Sequence, residues 1–122
     1  MPEIDIDESS LSKMLAPLGE DDLDEVIKLM FEDLDSFRSR LAAVTEPGGP
    51  EYRKILHKVL GFAKQFHLSA VAFSARSGLA WSRADAAMAI SLVDADINRT
   101  TECLTGFIAR LRESRRELAR AG

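Results

Sequence analysis

Tyr52-Arg53-Lys54-Ile55-Leu56-His57-Lys58-Val59-Leu60-Gly61-Phe62-Ala63-Lys64-Gln65-Phe66-His67 is the stretch on which the fold is decided. At about 100° per residue from His57, the residues Tyr52, Ile55, Val59, Phe62, Ala63 and Phe66 fall between about 140° and 240°, one coherent apolar stripe of a helix. His57 points the other way, at the centre of the solvent face. Gly61 sits one turn on, about 40° from it, and Lys64 about 20° to the other side. Arg53, Lys54, Lys58 and Lys64 surround the imidazole, with only Glu51 to offset them. A glycine inside a helix costs about 0.5–1 kcal/mol relative to alanine. On a solvent face that cost makes sense where another protein has to approach the ring closely. Leu60 and Leu68 are expected to flank the same face and offer such a surface apolar contact.

Working outward, Pro47-Gly48-Gly49-Pro50 is a strong break before this helix, and Pro17 and Gly19 bracket a second one. Leu11, Met14 and Leu15 predict a short first helix ending at that break. Asp21 is the expected N-cap of the next, whose stripe is Leu23, Val26, Ile27, Met30, Phe31, Leu34, Phe37 and Leu41. Pro50 opens the third helix, which is predicted to run to about residue 67. A fourth, over about 69–82, is rich in alanine, serine and glycine, so its axis can approach its neighbours closely. The last is predicted over about 86–120. It carries Ile90, Ile97, Leu104, Leu111 and Leu118 every seven residues, with Val93, Phe107 and, less well, Thr100 between them. Its arginine-rich end is expected to overhang. No stretch alternates with a period of two for long enough to make a sheet. The expected fold is all-α: one domain over residues 1–122, an antiparallel four-helix bundle with a short extra N-terminal helix and a flexible tail over residues 1–8.

The chain has 122 residues, 46% apolar and 30% charged, enough for one core with a solvated surface. Its net charge is −4, and residues 1–35 hold twelve Asp or Glu against two Lys, which argues against nucleic acid as a partner. The longest uncharged run, residues 65–75, is too short to cross a bilayer, and the acidic start has no signal-peptide pattern. A single cysteine, Cys103, forms neither an internal disulfide nor a metal site by itself. A reducing, cytoplasmic setting without membrane contact is expected.

A neutral imidazole has a ring nitrogen free to act as a nucleophile, and histidine is the side chain most often neutral and reactive near physiological pH. Phosphorylation would add a charge of about −2, which the neighbouring lysines would offset. No acidic residue on this face would hold magnesium, and no glycine-rich loop would cradle a nucleotide. Such a protein is a carrier, and its partner brings the metal and the catalytic groups.

The run His57-Lys58-Val59-Leu60-Gly61-Phe62-Ala63 resembles the motif of the histidine-containing phosphotransfer (HPt) domains of two-component phosphorelays. In that motif a phosphorylatable histidine is followed three residues on by a lysine, then directly by a glycine and small residues. Leu18-Gly19-Glu20-Asp21-Asp22-Leu23, leading into a helix with Phe31-Glu32-Asp33-Leu34, is similar to the family's second helix. The break before the histidine helix and the two helices after it also fit. The resemblance implies a four-helix bundle in which His57 is the phosphoacceptor, through its outer nitrogen Nε2, and Gly61 clears the docking surface. Arg53, Lys54, Lys58, Lys64, Leu60 and Leu68 would support phosphate or docking. It implies response-regulator receiver domains and a hybrid histidine kinase as partners, a monomer, and no cofactor of its own, with Mg2+ on the receiver. Two positions depart from the motif: its lysine is Leu60 here, and its second glycine, ten residues after the histidine, is His67. The alternative function is an HPt-like or dimerising helical adaptor that binds receiver or kinase domains without accepting phosphate.

Overall fold

The computed structural model describes residues 5–121. Among these there are five α-helices and no strand: α1 (Glu8–Leu15), α2 (Glu20–Ala42), α3 (Pro50–Gln65), α4 (Ser69–Ala80) and α5 (Ala86–Ala121), with one turn of 3-10 helix at Arg83–Asp85 before α5. α3 packs on α4, α4 on α5, α5 on α2 and α2 on α3, so that each of these four helices has two neighbours. The predicted stripes supply the buried faces, with Val26, Phe31, Phe66, Ile90 and Leu111 half-buried at their edges and Leu118 exposed. Leu23, Ile27, Met30, Leu34, Phe37 and Leu41 of α2 meet Tyr52, Ile55, Val59, Phe62 and Ala63 of α3, and Val93, Ile97, Leu104 and Phe107 of α5 join the same core.

The breaks act as expected, with small shifts of boundary. α2 begins at Glu20 with Gly19 rather than Asp21 at the N-cap, leaving Glu20, Asp21 and Asp22 in the first turn, where the helix dipole favours acids. Pro50 is the first residue of α3, where its missing N–H costs nothing. α4 ends at Ala80, two residues before the expected stop, because Trp81 is extended.

α4 lies close to its neighbours at Gly78. A Cβ there would stand 2.9 Å from Leu56 Cδ1 and 3.2 Å from both Ala89 Cβ and Tyr52 Oη. Leu56, outside the predicted stripe, is fully buried because this small-residue helix lets it in. The Tyr52 hydroxyl donates to the Gly78 carbonyl at 2.8 Å and ties α3 to α4.

Thr100 is the imperfect member of the α5 row. It is fully buried, and its Oγ1 has no partner among the described residues, whereas Thr101 and Thr105 donate to the carbonyls one turn back, of Ile97 and Thr101. An unpaired buried hydroxyl costs about 1–3 kcal/mol.

The N-terminal segment differs from the flexible tail expected over residues 1–8; residues 1–4 lie outside the described residues. Asp5, Ile6 and Asp7 form a strap. Ile6 is buried, the Asp7 N–H donates to the His67 carbonyl at 2.8 Å, and the Asp5 carbonyl accepts from the Ala70 N–H at 3.2 Å. The Asp5 carboxylate reaches α5, accepting from Arg99 Nε at 3.1 Å and from the Cys103 thiol at 3.3 Å. Burial, and then this carboxylate, push the Cys103 thiol up from its ordinary range, away from thiolate reactivity. Asp7 itself caps α1 by accepting from Ser10. The acidic residues of this segment supply the carboxylates that fasten it.

The arginine-rich end of α5 is braced rather than wholly overhanging. Arg115 donates to the Leu15 and Leu18 carbonyls at 3.0 and 2.9 Å, satisfying the C-terminal end of α1, and Arg110 and Arg112 pair with Glu8 and Asp24. Only the last turns, with Leu118 exposed, extend beyond these contacts.

Candidate functional site

α3 presents His57 to solvent, and among the described residues no hydrogen bond or ion pair holds the ring. The helix is held from behind by the buried face of α3, while Tyr52 and Arg53 are bonded across to α4. His57 is therefore exposed on a rigid support rather than on a loop.

Gly61 is exposed one turn on, and a Cβ built on it meets nothing within 4 Å. No described residue demands a glycine there. The contrast with Gly78, which is hemmed in on three sides, separates a glycine set by internal packing from one that no described neighbour requires.

The cations are distributed unevenly about the ring. Lys54, Lys58 and Lys64 are exposed and in no ion pair among the described residues. The Arg53 guanidinium donates through Nη1 to the Leu79 carbonyl at 3.1 Å, which draws it toward α4. Glu51 faces α2, 3.9 Å from Arg40 Nη2. Its charge is turned to that neighbour.

The two leucines expected beside His57 are placed differently. Leu60 is half-buried and packs against the core from the edge of the face. Leu68 is not on the face at all: it is fully buried. A continued helix would have carried it round to the His57 side, but α3 ends at Gln65 and His67 adopts a left-handed φ of 60°. The chain reverses there, the Leu68 N–H donates back to the Ala63 carbonyl at 2.8 Å, and the side chain turns inward over the helix end. This is the usual left-handed helix stop with its apolar contact.

Two features of the surroundings escaped the single-helix reading. Arg76 of α4 is exposed on the helix adjoining the His57 face, and it is the only charged residue of α4; that isolation in a run of small residues was its visible signal. An apolar groove of about 270 Å³ also lies at the far end of α3, between Met14, Leu18, Val26, Leu29 and Phe66. It depends on three helices meeting, which no one segment reveals.

Among the described residues no group of three His, Cys, Asp or Glu side chains converges to hold a metal ion, and no helix is long and apolar enough to cross a membrane. What the site has is an exposed imidazole flanked by cations and by a gap where a side chain is missing. Compared with family models, curated proteins and solved structures, the chain matches none.

Proposed function

We propose that this chain is a histidine phosphotransfer carrier of the HPt type. The observation that carries the reading is the pairing of an exposed, unbonded His57 with Gly61, whose absent side chain faces open space. A second observation supports it. Position 67, where the family has its second glycine, takes φ 60°, a conformation that favours glycine. The two glycines of the motif thus answer two different physical demands, a clear approach and a left-handed helix stop. In this reading α2–α5 form the antiparallel four-helix bundle and α1 is the short extra helix.

The chemistry is a transfer between partners. The Nε2 lone pair of His57 attacks the phosphorus of an aspartyl phosphate on a receiver domain. The Nε2–P bond forms as the P–O bond to the aspartyl group breaks, and the carboxylate is restored. The reverse step delivers the group to a second receiver or returns it. The receiver holds the Mg2+ and the acidic groups, and a hybrid histidine kinase stands upstream. Lys54, Lys58 and Lys64 offset the charge of the phosphorylated ring, and Leu60 with the exposed Gly61 backbone forms the docking surface. The carrier is read as a cytoplasmic monomer.

Incubation with a panel of phosphorylated receiver domains, followed by the intact mass of the chain, tests this. An acid-labile phosphate that is stable in base, lost in His57→Ala and kept in His67→Ala is expected. Receivers that bind but transfer nothing would establish the second reading, a docking module without the chemistry. Leu60 in place of the motif lysine favours that reading.

A further inference from the structure

We propose that Arg76, on α4, is the phosphoryl-binding cation of His57, taking from the neighbouring helix the place that Leu60 leaves without charge on α3. The inference rests on the phosphocarrier reading and names the residue that completes its site.

The register of the two helices fixes the height of Arg76. Tyr52 bonds to the carbonyl of Gly78 and Arg53 to that of Leu79, while the Leu68 N–H closes the turn onto Ala63. These contacts make α3 and α4 antiparallel and set Arg76 about level with Ile55, within one turn of His57.

The flank follows from the faces of α4. Ser74, Ser77 and Trp81 line a groove with Ala89 and Leu92, so that flank meets α5. Arg76 stands on the other side of the outer face, turned about 50° toward α3 by the helical rotation of 100° per residue. Side chains lean toward the N-terminus of their own helix, which carries the guanidinium along α4 toward the level of Leu60. Neighbouring helix axes lie about 8–10 Å apart, a gap that an extended arginine and a phosphorylated imidazole close between them.

The cations of α3 do not fill that flank. Lys54 and Lys58 lie on the side of Glu51, which reaches Arg40 of α2. Lys64 is two turns away, about 10 Å along the axis. Arg53 is bonded to the Leu79 carbonyl. Arg76 is exposed, forms no ion pair or hydrogen bond among the described residues, and is the sole charge on its helix. A planar guanidinium also binds phosphate oxygens two at a time, which a lysine does not.

Phosphoramidate labelling tests this without any receiver. Nε2 of His57 attacks phosphorus, the Nε2–P bond forms, the P–N bond of the reagent breaks and ammonia leaves. The rate of appearance and the lifetime of the acid-labile phosphate are followed by intact mass, with His57→Ala as the blank and circular dichroism as the check on folding. Arg76→Ala is expected to lower the rate or the lifetime about three- to tenfold, the range for a charge-assisted contact discounted for exposure. Arg76→Lys should keep part of it. Leu60→Lys in the Arg76→Ala background should restore it, which a merely structural role of Arg76 would not allow. Equal labelling of Arg76→Ala and the parent overturns the inference, even where receivers exchange phosphate normally. An Arg76 effect on labelling upholds it even where no receiver transfers, in which case the relay reading fails alone. No phosphoramidate label on His57 of the parent overturns the inference, and no label from either phosphoramidate or receivers overturns both.

Discussion

Gly78 of α4 lies so close to Leu56 of α3 that a Cβ on the glycine would stand 2.9 Å from Leu56 Cδ1. Leu56 Cδ1 is the end of a flexible side chain, but Ala89 Cβ, 3.2 Å away on α5, is fixed to its backbone. Gly78→Ala is therefore expected to push α4 outward and to lower stability by about 1–3 kcal/mol, the usual cost of overpacking. Chemical denaturation measures it. An unchanged midpoint would mean that the three helices do not meet at this point.

Gly61→Ala is expected to do the opposite. Its new methyl meets nothing within 4 Å, so only the helix preference of alanine acts, raising stability by about 0.5–1 kcal/mol. Under the carrier reading, the same methyl stands where a receiver docks, and transfer slows. A variant more stable than the parent yet poorer in phosphotransfer is the expected pair of results. A variant that transfers as fast as the parent would leave Gly61 without the role assigned to it.

Tyr52 is the only tyrosine, so tyrosinate absorbance reports it alone. Burial pushes its hydroxyl up from the ordinary value, partly opposed by the charge of Arg53. A raised folded-state pKa means that the unfolded chain ionises first. The contribution is therefore fully present below about pH 10 and is lost as pH climbs through the folded value. Stability should fall in that alkaline window. Tyr52→Phe, which lacks the bond to the Gly78 carbonyl, should be weaker at neutral pH by about 1 kcal/mol, with the gap to the parent narrowing as pH rises. Parallel curves for the two proteins would show that the hydroxyl does not ionise on unfolding.

Most of the helical frame was legible in the sequence because the segments repeat their apolar residues near every 3.6 positions and stop at proline or glycine. His57 and Gly61 were legible as exposed for the same reason: a wheel is valid as long as the helix lasts. Leu68 was misplaced because the wheel was carried three residues past Gln65, through a reversal at His67 that no proline or glycine announces. Leu56 was left out of the core because burial at the edge of a stripe is decided by the neighbour, here the small residues of α4. The strap of Asp5–Asp7 was missed because its bonds go to residues far away in the chain, the distant ones being Arg99 and Cys103. Arg76 belongs to the same class, since its meaning arises only when α4 is laid beside α3.

His67 carries the last prediction. A non-glycine residue in the left-handed region costs about 1–2 kcal/mol, and histidine is among the side chains that tolerate it. Its carbonyl accepts from the Asp7 N–H at 2.8 Å, a backbone contact that any residue at this position can keep. His67→Gly is therefore expected to raise stability by about 1 kcal/mol, a gain of about 4 °C in melting temperature for a chain of this size. His67→Ala keeps the strained φ and should gain nothing. Thermal melts of the two variants beside the parent decide it. If glycine melts no higher than alanine, the turn after α3 is held by the histidine side chain rather than by the left-handed backbone. Because His57 is untouched, the more stable glycine variant should still take up the phosphoryl group, separating the residue that ends the helix from the one proposed to carry the chemistry.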